Sequence, residues 1–126
     1  MSEKVVAYLK HDANARNDPK ISKLRSAYKW EGYGIYWAIC EILREQSDFT
    51  YPLDFEALAE QLHCKSSKIE KLVSDCIHEF KDRKGRGLFE SDGVCFWSNR
   101  AMEDAIHYED VREKRRTAAR NKPPKE

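Results

Sequence analysis

Residues 54–80, DFEALAEQLHCKSSKIEKLVSDCIHEF, decide the fold of this chain. Apolar residues recur at the spacing of an amphipathic helix in two parts of the stretch, which predicts helices over 55–62 and 67–80. A short polar turn separates the two helices. Two short helices joined in this way are typical of a helix-turn-helix motif.

A short β-hairpin is predicted directly after these helices. Residues 88–90 (LFE) and 94–97 (VCFW) are β-prone runs, and Ser91-Asp92-Gly93 lies between them. Asp-Gly between such runs is a strong signal for a hairpin turn. The order helix, turn, helix, hairpin therefore predicts a mainly α fold with a small β-hairpin, a winged helix-turn-helix.

Capping residues support these helix boundaries. Asp54 is suited to cap the helix over 55–62, and Ser67 with Glu70 forms a capping box at the start of the next helix. Further upstream, Asp18 followed by Pro19 is a strong start signal.

The residues before the motif predict two more helices, over 19–29 and 31–46, with the glycines at 32 and 34 permitting a tight junction between them. Extended segments are predicted at 4–9 and 49–53, and a last helix begins near Asn99. The apolar helix faces assign Cys40 and Cys76 to core packing, and the aromatic residues are assigned to the core or to a partner surface; they are Trp30, Tyr33, Tyr36 and Trp37.

Charge divides the chain into two parts. The formal net charge is +1, but residues 112–126 alone carry +5. We therefore expect a winged-helix domain over 1–108 and a basic C-terminal helix extension or tail over 109–126. Basic tails often meet nucleic acid or an acidic partner, although a solvated linker has the same composition.

Several classes of protein are not expected. No signal peptide or membrane-length apolar run is present, so we expect a cytoplasmic protein with reduced thiols. The histidines and cysteines lack the spacing of a zinc site, and no nucleophile or phosphate-loop motif stands out. We therefore expect no enzyme activity, no metal and no cofactor.

The helix-turn-helix motif, together with the basic segments after it, predicts a DNA-binding surface on three segments. The second helix of the motif would act as the recognition helix, a loop at the wing base would follow the phosphate backbone, and the tail would add charge. The candidate residues are Lys65, Ser67, Lys68 and Lys71 from the helix, Arg83, Lys84 and Arg86 from the wing, and Arg112, Lys114, Arg115 and Arg116 from the tail.

Two strings carry a family resemblance. Residues 11–21 read HDANARNDPKI and residues 30–37 read WEGYGIYW. They resemble the N-terminal domain of phage-type replication proteins, the replisome-organiser or Lin-type N-terminal family of phages and prophages, which is similar in plan to the DnaD N-terminal winged helix. The resemblance covers about residues 7–120.

The resemblance implies a winged helix without catalysis, acting in DNA replication by binding DNA or a partner such as a helicase or its loader. It leaves the preference for single- or double-stranded DNA open. The alternative is a protein-interaction or self-assembly module, such as a homo-oligomer, without direct DNA binding; the acidic body and the aromatic second helix favour it. For His11, Asp12 and Arg16, we expect a buried, salt-bridged loop rather than a functional patch.

Overall fold

The structure, a computed structural model, describes residues 11–100 and Thr117. The segment predicted as extended over 4–9, most of the last helix and the basic tail over 109–126 lie outside the described residues. After a 3-10 turn at Ala15–Asn17, the elements are α1 (Pro19–Glu45), β1 (Thr50–Pro52), α2 (Phe55–Leu62), α3 (Ser66–His78), β2 (Glu90–Ser91) and β3 (Cys95–Trp97).

Helix α1 begins at the predicted start signal and is bent in its middle. The Asp18 carboxylate accepts hydrogen bonds from the backbone N–H groups of Lys20 and Ile21, so the predicted cap is confirmed. At Lys29 the backbone leaves the helical region, with φ of 60° and ψ of −159°. The two helices predicted over 19–29 and 31–46 are therefore confirmed, as two helical limbs that meet at Lys29 within α1.

The helix-turn-helix is confirmed, with one error at its second cap. Asp54 caps α2 by accepting from the N–H of Ala57 at 3.1 Å. The predicted capping box at Ser67 is wrong, because α3 already begins at Ser66. Lys65 occupies the cap position, where the described residues show no side-chain cap. The helix also ends at His78, two residues before the predicted end.

The predicted hairpin is confirmed, and a third strand joins it. Strands β2 and β3 pair antiparallel around the Ser91-Asp92-Gly93 turn, with Glu90 opposite Trp97. The predicted extended segment over 49–53 provides β1, which pairs antiparallel with β3. Within the described residues, the sheet order is thus β1-β3-β2.

Aromatic side chains join the sheet to α1. Phe89 and Phe96 are fully buried, with ring centroids 5.3 Å apart. Tyr36 of α1 contacts Phe89 at 5.4 Å between centroids, and Tyr51 of β1 contacts Phe96 at 6.3 Å. Burying a side chain of this size contributes about 1.5–3 kcal/mol, so this cluster is a major part of the stability of the sheet.

The described residues thus form a mainly helical fold with a small antiparallel sheet, arranged as a winged helix-turn-helix. Cys40 and Cys76 are buried, as the apolar helix faces predict. In the part of the chain from 11 to 100, no helix has both the length and the apolar character to cross a membrane.

Candidate nucleic-acid interface

An open groove of about 650 Å³ lies between α3 and the β2–β3 hairpin. On the α3 side, exposed polar residues recur at helical spacing from Ser67 to His78. The hairpin contributes its turn, and Leu53 and Phe55 contribute apolar side chains. The lining residues are Leu53, Phe55, Ser67, Glu70, Lys71, Ser74, Asp75, Ile77, His78, Ser91 and Gly93. We call this surface the α3–hairpin groove.

The structure separates the four residues predicted on α3. Ser67 and Lys71 line the α3–hairpin groove. Lys65 is exposed just before the helix. Lys68 instead forms an ion pair with Glu31 of α1. Lys68 therefore connects two helices, whereas Ser67 and Lys71 are placed to meet a ligand in the groove.

A hydrogen bond fixes α3 against the first limb of α1. The Tyr28 hydroxyl donates to the Asp75 carboxylate, and the Tyr28 ring meets Phe80 edge-on at 6.1 Å. Burial raises the pKa of Tyr28 well above its usual value, and the hydrogen bond to Asp75 is the next largest cause of this shift. Helix α3 is thus held in a defined orientation, with its polar stripe facing the hairpin.

The three cations predicted at the wing base lie in the loop that precedes the hairpin. Arg83, Lys84 and Arg86 are exposed there, between α3 and β2. The tip of the hairpin carries Asp92, whose carboxylate accepts from the N–H groups of Val94 and Cys95. The cations therefore lie before the hairpin and not at its tip, and Lys23 of α1 contacts the same loop.

This loop and the start of α1 form a second open cavity, of about 770 Å³. Lys23 donates to the backbone carbonyl of Lys81 at 2.9 Å, and the Lys20 ammonium lies 3.6 Å from the Asp82 carboxylate. These two contacts bring the cations of the loop and those of the start of α1 together. We call this set of side chains the cationic surface, and its members are Lys20, Lys23, Lys81, Arg83, Lys84 and Arg86.

An aromatic row follows α1 after the kink. Trp30, Tyr33 and Trp37 succeed one another at helical spacing, and the His11 ring stacks on Trp37 at 3.8 Å between centroids. Trp30 is 61% exposed, whereas Trp37 is buried. The row thus runs from the core to the surface, so the predicted core role is confirmed for Tyr36 and Trp37, and the partner surface stays a prediction for Trp30.

The loop before α1 is ion-paired but not buried. Asp12 pairs with Arg100 at 3.1 Å, which ties the loop to the residues after β3. However, His11 and Arg16 are exposed. The expected salt bridge is therefore present, and the expected burial is wrong.

The sequence did not single out three contributors to these surfaces. Lys20 and Lys23 reach the loop only because α1 packs beside it, although their spacing of three residues already places them on one helix face. Asp82 lies among the cations of residues 81–86, and no sequence pattern there singles out its carboxylate. The predicted tail residues Arg112, Lys114, Arg115 and Arg116 lie outside the described residues.

Fold and groove together define a winged-helix domain with polar and cationic surfaces beside its second motif helix. A family model described as "Lin1244/Lin1753-like, N-terminal" matches residues 8–101. The chain belongs to this family. Comparison with curated proteins and with solved structures found no match.

Proposed function

We propose that this domain binds double-stranded DNA through the α3–hairpin groove, as a module of a phage- or prophage-type replication protein. The observation that carries the proposal is the polar stripe of α3 lying beside the hairpin. A helix of 13 residues is about 20 Å long and fits the major groove of B-DNA, which is about 12 Å wide.

The side chains in the groove suit base edges and phosphates. Ser67 and Ser74 can donate and accept hydrogen bonds, and Lys71 can meet guanine or a phosphate oxygen. Glu70 is compatible with this role, because a carboxylate can accept a hydrogen bond from the cytosine amino group. The resemblance to replisome-organiser N-terminal domains supports a role in DNA replication, in initiation or in replisome organisation.

Fluorescence anisotropy of labelled duplexes, measured across a salt series with the full chain, tests the proposal. We expect binding that tightens as salt falls, because lysines displace condensed counterions from phosphates. Ser74→Glu places a carboxylate in the groove and should weaken binding by about tenfold or more. The matched control is Ser26→Glu, since Ser26 is also exposed and also lies inside a helix.

Two results would count against DNA binding by the groove. One is the absence of binding at every salt concentration, and the other is equal affinity for Ser74→Glu and Ser26→Glu. A chain ending at Tyr108 separates the groove from the basic residues 109–126. If the shortened chain has lost all binding, the tail and not the groove holds the DNA.

A second candidate function is protein interaction or self-assembly, and the exposure of Trp30 favours it. Tryptophan is among the residues that most often dominate the energy of protein interfaces. Sedimentation velocity over a range of concentrations tests self-assembly. A sedimentation coefficient that rises with concentration, and that stays constant in Trp30→Ser, would support it; a constant value in the unmodified chain would exclude it.

A further inference from the structure

We infer that the cationic surface binds the phosphodiester backbone of duplex DNA beside α3, and that Asp82 positions its loop for this contact. The inference rests on the proposed DNA binding by the α3–hairpin groove. It adds the lysines at the start of α1, Lys20 and Lys23, to the DNA-binding residues. It also assigns the Asp82 carboxylate the role of ordering the loop whose cations contact the phosphates.

Positive charge is concentrated in the loop and at the start of α1. The cationic surface gathers six cations from these two segments, and the Asp82 carboxylate pairs with one of them, Lys20. Elsewhere in the chain, residues 41–60 carry six carboxylates and one cation. The cationic surface is therefore a local site of attraction for a polyanion.

Asp82 holds the loop in a closed turn. Its carboxylate accepts hydrogen bonds from the backbone N–H groups of Lys84 at 2.9 Å and Arg86 at 3.0 Å. The Asp82 N–H in turn donates to the Arg86 carbonyl at 3.0 Å. The N–H groups beside the carboxylate lower its pKa, with the Arg86 group first, so it stays ionised near neutral pH.

Close packing fixes both ends of the loop. Lys81 forms a β-bridge with Gly87, and Lys23 holds the Lys81 carbonyl. A Cβ on Gly87 would lie 2.6 Å from the Cys76 carbonyl oxygen and 2.8 Å from that of Ile77, so the chain passes directly over the end of α3. Because the loop backbone is already ordered, binding a phosphate costs it little conformational entropy.

The cationic surface is close enough to the α3–hairpin groove to share one duplex. His78 lines the groove, and Lys81 follows it by three residues. Three residues span at most about 10 Å, which is less than the width of the major groove, about 12 Å. A duplex seated on α3 therefore presents a flanking phosphate strand to the loop.

The first test compares salt dependence in two double variants of the full chain. Each phosphate that a cation neutralises contributes about 0.9 to the slope of log K against log salt for B-DNA. Arg83→Ala with Lys84→Ala should therefore lower the magnitude of this slope by about 1.8 on duplex DNA. The control pair, Arg16→Ala with Lys29→Ala, removes the same charge from exposed residues that are not members of the cationic surface.

The second test separates the organising role of Asp82 from its charge. Asp82→Ala removes the acceptor for two backbone N–H groups, and Asp82→Asn keeps an oxygen that can accept them. Both variants lose the same negative charge, which by simple electrostatics should tighten DNA binding. We expect Asp82→Asn to bind duplex DNA at least as tightly as the unmodified chain, and Asp82→Ala to bind more weakly with a smaller salt slope.

The outcomes separate this inference from the proposed function. If the unmodified chain binds no DNA, both fail. If it binds but the Arg83 and Lys84 double variant keeps the slope of the control pair, the backbone contact is refuted and the groove proposal stands. If Asp82→Ala binds as tightly as Asp82→Asn, Asp82 does not position the loop.

Discussion

Replacing Gly32 with alanine should destabilise the domain, whereas the same replacement at Gly34 should stabilise it. A Cβ on Gly32 would lie 2.1 Å from the Cβ of Tyr28 and 3.1 Å from its Cγ. In an uninterrupted helix the Cβ atoms of residues four apart are about 5–6 Å from each other. The close approach is therefore a consequence of the kink at Lys29, which folds the start of the second limb onto the end of the first.

The magnitude follows from what holds Tyr28 in place. Its hydroxyl donates to Asp75 and its ring packs against Phe80, so it cannot move without loosening α3. Overpacking typically costs about 1–3 kcal/mol, and a hydrogen bond to a charged group is worth about 1.5–3 kcal/mol. Alanine returns about 1 kcal/mol of helix propensity. We therefore expect Gly32→Ala to lower the free energy of unfolding by about 2–4 kcal/mol.

Urea denaturation followed by circular dichroism measures the effect. Gly34→Ala is the matched control, because Gly34 is exposed and a Cβ there would have room. Apart from its chain neighbours and the backbone of its own helix, no described atom lies within 4 Å of that Cβ. It should gain about 1 kcal/mol from helix propensity alone. If Gly32→Ala is as stable as the unmodified chain, with an unchanged m-value, the packing of the kink against Tyr28 is not what the structure indicates.

Three further predictions concern strain, thiol reactivity and pH. Lys29→Gly should raise the free energy of unfolding in urea by about 1 kcal/mol, because glycine adopts the positive φ at this position without strain; an unchanged midpoint would argue against the kink. A thiol reagent at pH 8 should modify Cys64 and Cys95 quickly and reach Cys40 and Cys76 only on unfolding. Burial raises the pKa of the Cys40 thiol to about 12 and that of the Cys76 thiol well above its usual value. Four equal rates of modification would contradict this. Backbone N–H donors lower the pKa of two carboxyl groups: the Arg86 N–H has the largest effect on Asp82, and the Cys95 N–H has the largest effect on Asp92. The contribution of these carboxylates to stability is therefore complete above the unfolded pKa of about 3.9 and is lost as the pH falls through the folded pKa values. When the free energy of unfolding is measured against falling pH, Asp82→Asn should lose less of it than the unmodified chain.

Features with a local cause were predictable from the sequence. The helix starts at Asp18 and Asp54 depend on a side chain and backbone N–H groups two or three residues away, so a short sequence pattern contains all that is needed. The hairpin turn is equally local. The capping box failed because the Lys65 carbonyl already accepts from the N–H groups of Lys68 and Ile69. The cap of α3 is therefore Lys65, two residues before the Ser67 cap that the serine pattern predicts.

Features that depend on distant contacts were not predictable. The pairing of β1 with β3 joins Thr50 to Trp97, and no pattern in either strand specifies the other. The position of the cationic loop before the hairpin follows from sequence order, but its contact with α1 does not. Lys23 and the Lys81 carbonyl are 58 residues apart, so no local pattern indicates that contact. The candidate groove on α3 was largely foreseen, because helical periodicity alone separates its polar face from its buried face.

The most direct test of DNA binding by this domain is a two-dimensional NMR titration of the full chain with a short duplex. Residues whose amide resonances shift mark the binding surface. DNA bound to both surfaces should shift the amides of α3, the hairpin turn and residues 81–87, and leave those at the end of α1, residues 41–45, in place. Shifts confined to the end of α1 or to the row around Trp30, or none at all, would contradict the account.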